Sequence, residues 1–190
     1  MARWPFKENA NARGRNEVSL QLPPVNPADP RYTTRGARYV RAGQGPTIWA
    51  ASDVYTVKAT SAQTGGLLGF VEASVPPGGG PEPHAHNDQA ETFYLLSGEL
   101  EFLDGDRTFT AVAGDFVHVP SGIRHRFKNR GTHAARMIFM FTPGGPEEAF
   151  LQYSDPARPG EQAPPLGPDQ LERYLELARR INTDNLPDLA

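Results

Sequence analysis

The chain has 190 residues, with 19 Lys and Arg against 22 Asp and Glu, no cysteine and a formal net charge of −3. That length fills one core and not two ordinary domains, and the lack of cysteine excludes disulfides, a thiolate nucleophile and zinc-finger ligands, so any metal must be held by nitrogen and oxygen. No apolar run reaches the roughly 18 residues of a membrane span, and the opening MARWPFKENANARGRNE has no signal-like hydrophobic segment; the expectation is a soluble cytoplasmic protein with no membrane partner.

Residues 1–45 carry eight Lys and Arg against three Asp and Glu, whereas residues 46–190 carry eleven against nineteen. The arginines of this basic arm are scattered among Asn, Pro and Gly, with neither a helical face nor interleaved aromatics, so no nucleic-acid partner is expected. In LPPVNPADPRY the repeated prolines fix the backbone angle and remove amide donors, which predicts an irregular arm that packs on its own acidic domain or on a neighbouring subunit.

From residue 46 to about 145 short β-type runs recur every eight to twelve residues: TIWAAS, DVYTVKAT, LLGFVEASV, ETFYLLSG, ELEFLD, RTFTAVA, DFVHVP, HRFKN and ARMIFMFT. Gly, Pro, Asp and Asn at the breaks point to an all-β sandwich or barrel. FLDGDRTF reads as a hairpin, with Asp104 and Gly105 suited to the positive φ angles of a type I′ turn. Residues 146–190 form a C-terminal extension, with a helical turn at PEEAFLQY, the proline-broken connector DPARPGEQAPPLGP and a helix over about 168–181. There Pro168 suits the first helical position, Leu171, Tyr174, Leu175, Ala178 and Ile181 form an apolar stripe, and Arg179 and Arg180 suit the negative end of the dipole. The stripe predicts packing against the outside of the barrel.

The chemistry concentrates in PEPHAHNDQAETFYLLSG. On a strand His84 and His86 project to one side about 7 Å apart, which suits two ligands of one ion, and Glu91 can return to the same side after the polar NDQA turn. Two imidazoles and a carboxylate fit a divalent first-row metal with open positions. A fourth ligand must come from His118, His125 or His133. His133 sits in the turn-like NRGTHAA and His118 within the strand DFVHVP, whereas Pro120 and Gly122 force a reversal that aims His125 across the barrel mouth; His125 is therefore the choice.

Strand alternation tests that choice. An inward His125 takes Phe127 and Asn129 inward with it and leaves Arg124, Arg126, Lys128 and Arg130 on the other face, either as a solvated surface or as a subunit interface facing Glu99 and Glu101. Glu91, Phe93 and Leu95 share a face by the same rule, so Phe93 is expected to wall the pocket, with Phe127 also a candidate pocket residue.

These segments resemble the two cupin motifs. Residues 78–98, GGGPEPHAHNDQAETFYLLSG, have the glycine, His-x-His, glutamate and glycine of the first; residues 114–129, GDFVHVPSGIRHRFKN, have the glycine, Pro-x-Gly, histidine and asparagine of the second. The resemblance implies a double-stranded β-helix, a small jelly-roll barrel, with His84, His86, Glu91 and His125 on one metal, and cupins commonly form homodimers. Over about residues 60–182 the chain is similar to single-domain bacterial cupins of the quercetin dioxygenase-like kind. That similarity implies a metal-dependent dioxygenase acting on an enolic or phenolic small molecule with dioxygen, with Glu91 as base. The alternatives are a redox-neutral polyketide cyclase or isomerase using the ion as Lewis acid, and a small-molecule-binding cupin without turnover. The same four ligands accept Fe, Mn, Ni, Co, Cu or Zn.

Overall fold

The structure, a computed structural model, describes residues 26–164 and 168–189. The chain divides into two units, residues 1–38 and 39–190. The expected irregular path of residues 1–25 lies outside the described residues. The described part of the first unit holds one 3-10 turn, Pro30–Tyr32, capped by Asp29, whose carboxylate accepts from the Arg31 backbone amide at 2.9 Å.

In the second unit every one of the nine β-type runs forms a strand: β1 (Thr47–Ala50), β2 (Asp53–Ala59), β3 (Gly69–Val75), β5 (Ala90–Ser97), β6 (Glu99–Asp104), β7 (Arg107–Val112), β8 (Phe116–Val119), β9 (His125–Lys128) and β10 (Ala135–Thr142). Three short strands join them: β4 (His84–His86), β11 (Asp155–Pro156) and β12 (Thr183–Asn185). The helices are α1 (Ser61–Thr64), α2 (Pro146–Tyr153) and α3 (Pro168–Arg180). The strands build two antiparallel sheets, ordered β11-β1-β2-β3-β10-β5-β8 and β12-β4-β9-β6-β7. This is the jelly-roll barrel of a double-stranded β-helix.

Alternation along each strand decides what fills the barrel. In β3 the odd positions Val71, Ala73 and Val75 are buried, and in β10 Met137, Phe139 and Phe141 are, while their neighbours face outward. Phe93, Phe102, Phe127, Phe139 and Phe141 meet largely edge to face, with Phe93 and Phe102 centroids 5.1 Å apart and Phe93 and Phe127 5.9 Å apart.

Three local expectations change. The β6–β7 hairpin pairs Asp104 with Arg107, so Gly105 and Asp106 are its central residues. Only Gly105 has a positive φ, 64°, so the turn is not type I′, which needs two. In α3 Leu177 and Ala178 are buried and Tyr174 is half-buried, as is Ile181 just past its end, while Leu171 and Leu175 are exposed, because the helix packs over the open end of the barrel rather than along its outer wall. PEEAFLQY is a full helix. Its Glu147 is completely buried and accepts from the amides of Ser61 at 2.5 Å and Gly145 at 2.9 Å, while Glu148 accepts from the Ala62 amide at 2.7 Å. Carboxylates thus sit at the amide-rich starts of both α1 and α2 and join them.

Asp53 opens β2 with no exposed surface and accepts from the Gly80 amide at 3.1 Å and the Tyr55 hydroxyl at 3.3 Å. Burial pushes its carboxyl up to about 8, against the opposing pull of those two hydrogen bonds and the Lys128 charge. The folded state therefore keeps a proton that the unfolded chain releases above its ordinary value of 3.8, so this group's stabilisation is complete at low pH and is lost as pH rises toward 8. Asp53→Asn mimics the protonated side chain. Urea unfolding of chelator-treated protein should show the variant gaining on the wild type between pH 5 and pH 7.5 by up to about 1.4 kcal/mol per pH unit; a difference independent of pH contradicts the assignment.

Candidate metal centre

β4 lies between β12 and β9, and His84 pairs directly across from His125. Glu91 comes from the opposite sheet, on β5, flanked by Phe141 of β10 and Val119 of β8. The four side chains meet where the two sheets face each other. All are buried, with His84 at 8% exposure, His86 at 4%, Glu91 at 5% and His125 at 1%. Their donor atoms lie within 4.8 Å of one another.

The loop before β4 fits because Gly80 has φ +112° and a Cβ there would strike the Phe127 carbonyl. Asn129, 2% exposed, holds the loop's other side: its amide donates to the Gly79 carbonyl at 3.0 Å and its side chain to the Val75 and His133 carbonyls, both at 2.8 Å.

Ring orientation follows from what each Nδ1 meets. His84 Nδ1 is 2.8 Å from the Glu82 carbonyl and His125 Nδ1 is 2.8 Å from the Ile123 carbonyl. A carbonyl only accepts, so both Nδ1 atoms carry the proton and donate, and the Nε2 lone pairs turn inward. His86 Nδ1 lies 2.7 Å from the Thr183 hydroxyl. His125 Nε2 and His86 Nε2 stand 3.0 and 3.2 Å from the same Glu91 oxygen, Oε2. Nitrogen lone pairs facing a carboxylate oxygen at these distances repel unless a proton or a metal ion lies among them. The donor set therefore fits a divalent transition ion, with three borderline nitrogen ligands and one hard oxygen.

Where a proton rather than an ion lies among them, the electrostatics are those of hydrogen-bonded, oppositely charged groups. Burial raises the Glu91 carboxyl, but hydrogen bonds from His125 and His86, and their charges, outweigh it and hold the group at about 2. Burial drives His84 down to about 3, and repulsion from His125 and His86 acts in the same direction. Burial also lowers His125, but its hydrogen bond and attraction to Glu91 raise it overall above the ordinary histidine value.

The cluster forms one end of a cavity of about 110 Å³, enough for several waters or a compact ligand. Phe127, Phe139 and Phe141 wall it from the barrel, and Tyr174 and Leu177 of α3, with Ile181 just beyond it, from the other side. Phe93 packs behind His125, its ring centroid 6.4 Å from the imidazole, and is not on the cavity wall. Residues that spacing did not single out also line it: Trp49, Phe150 and Tyr153, together with Arg173, which makes two 2.9 Å hydrogen bonds to Asp155. They arrive from distant segments, and nothing in their local spacing marks them.

The other two histidines lie elsewhere and exposed, His118 against the Thr92 hydroxyl at 2.8 Å and His133 against the Thr132 hydroxyl at 3.1 Å. The β9 parity is as expected, with Phe127 and Asn129 inward beside His125. On the outer face Arg126 and Arg130 pair with Glu101 at 3.0 and 3.3 Å, and Arg124 pairs with Asp188 at 2.5 Å.

The cupin domain family matches residues 71–141. Quercetin 2,3-dioxygenase of Bacillus subtilis is 26% identical over 117 residues, covering 62% of this chain and 34% of that protein. Polyketide synthase CurC of Streptomyces cyaneus is 37% identical over 92 residues, covering 48% of this chain and 58% of that one. The chain thus spans about a third and about three-fifths of these two relatives. A predicted oxalate decarboxylase of Thermotoga maritima superposes with a TM-score of 0.52 at 21% identity, over 55% of this chain and 98% of that one, a likeness of fold.

A divalent transition ion added at 100 times its Kd to chelator-treated protein should raise the unfolding free energy by about 2.7 kcal/mol. Thermal denaturation should show that gain abolished in His84→Ala and His125→Ala and intact in His118→Ala and His133→Ala. An unchanged gain in His125→Ala contradicts the assigned set.

Proposed function

The chain belongs to the cupin family, and from that premise we propose that it is a metal-dependent dioxygenase of an enolic or phenolic small molecule, with His84, His86, Glu91 and His125 holding one divalent transition ion and Glu91 acting as base. The observation that supports this most is the position of the four inward donors at the end of a cavity walled by aromatic rings. Such an ion supplies Lewis acidity toward a chelating oxygen and a common site for substrate and dioxygen.

The chain's own residues do the rest. Three imidazoles and one carboxylate bring a single negative charge, which leaves a divalent centre attractive to an enolate or phenolate. Phe127, Phe139 and Phe141 exclude water and pack against a flat ring, with Tyr174 and Ile181 facing them. Glu91 takes the substrate's hydroxyl proton. Its Oε2 stands 3.2 and 3.0 Å from the His86 and His125 nitrogens, so to reach that proton it would first turn away from them.

A second reading, a redox-neutral cyclase or isomerase of a polyketide-like substrate on the same site, is favoured by the 37% identity to a polyketide synthase protein. Dioxygen separates the two. Oxygen uptake in step with loss of a flavonol or related enol supports the dioxygenase; product formation under strict anaerobiosis supports the cyclase. In either case Glu91→Gln should lower kcat by about 10²–10⁴. Turnover near the wild-type rate in a variant that keeps its metal contradicts the base role.

A further inference from the structure

Two of the three imidazoles are oriented from within their own segments: His84 by the carbonyl of Glu82 and His125 by that of Ile123, each two residues upstream. Such bonds come with the local backbone. His86 is different. Its Nδ1 is 2.7 Å from the hydroxyl of Thr183, 97 residues away, and that hydroxyl lies 3.4 Å from the Ile181 carbonyl. With the hydroxyl proton directed to Ile181, the oxygen lone pair accepts the His86 Nδ1 proton. His86 Nε2 is then left bare toward Glu91.

Thr183 is held where this bond needs it. β12 is an edge strand that pairs with β4, Thr183 opposite His86 and Asn185 opposite His84. Asn182, the residue before it, has φ 48°, and its carbonyl accepts from the Asn87 amide at 3.1 Å while its side chain donates to Asp88 at 2.9 Å. Beyond the strand the Leu186 amide donates to the Pro83 carbonyl at 2.8 Å. Both ends of the His84–His86 segment are thus tied to the chain that follows α3. Only Ile181 and Asn182 separate β12 from α3, whose Tyr174, Leu177 and Ala178 wall the cavity.

We propose that Thr183 is a positioning residue for His86, so that one ligand of the metal centre takes its orientation from the same C-terminal segment that encloses the cavity. This rests on reading the cluster as a metal centre. A ligand that displaces α3 then disturbs the His86 ring as well as the cavity wall. Loss of such a bond to a metal-bound imidazole typically weakens metal binding by about 10–100-fold.

The test compares wild type, Thr183→Val and Thr183→Ser by chelator competition with Co(II), together with the visible spectrum of the Co(II)-loaded proteins and the thermal stability of the metal-free ones. Thr183→Val keeps the β-branched shape and loses the hydroxyl. It should bind Co(II) about 10–100-fold more weakly with altered absorption bands, and Thr183→Ser should restore both. Should Thr183→Val not fold, Thr183→Ala, which keeps the β12–β4 backbone bonds, carries the same comparison. Val and wild-type affinities within about twofold, whatever the change in thermal stability, overturn the role of Thr183 alone. A wild type that binds no Co(II) overturns the metal reading and this proposal with it.

Discussion

Four lone-pair donors pointed at one buried spot repel one another unless a positive charge lies among them, and the rest of this structure is arranged around that constraint. Two imidazole nitrogens stand within 3.2 Å of a carboxylate oxygen, away from water that could screen them. Burying such a group costs several kcal/mol. The aromatic layer beneath it offsets that cost, because each fully buried phenylalanine stabilises the fold by about 2 kcal/mol, and Phe93, Phe127, Phe139 and Phe141 all pack here. The cluster is therefore tolerable as a polar island on an apolar floor, and it becomes favourable when a cation completes it.

The two sheets contribute unequally. The five-stranded sheet brings all three imidazoles and the seven-stranded sheet the carboxylate, so neither alone forms the site. Asp53 and Asn129 fasten the glycine loop that leads into β4, and Glu147 fastens α2, whose Phe150 and Tyr153 reach the cavity. Buried polar side chains in this barrel thus serve to place backbone. The hydrophobic pattern determines that a barrel forms; these few hydrogen bonds determine where its mouth lies.

Much of this was legible in the residues because strand alternation is a local signal. The nine β-type runs, the inward parity of His125, Phe127 and Asn129, and the pairing of His84 with His86 all follow from a period of two. What was not legible depends on register or on distance. The turn after Asp104 is shifted by one residue because strand pairing, and not the favourable Asp-Gly dipeptide, chose its centre. The expected α3 stripe departs from the observed face at Leu171 and Leu175, both exposed, and at Leu177, which faces the barrel mouth, since a helix sequence alone does not say which neighbour it covers. Thr183 carries no mark at all: a lone threonine near the C-terminal end acquires its meaning only when β12 is laid against β4.

The most direct test is a crystal structure of protein loaded with one transition ion, with anomalous data collected on both sides of that metal's absorption edge. The account predicts a single strong peak about 2.0–2.3 Å from Nε2 of His84, His86 and His125 and from a Glu91 oxygen. A peak at His118 or His133, or none at the four donors with the ion in excess, contradicts it.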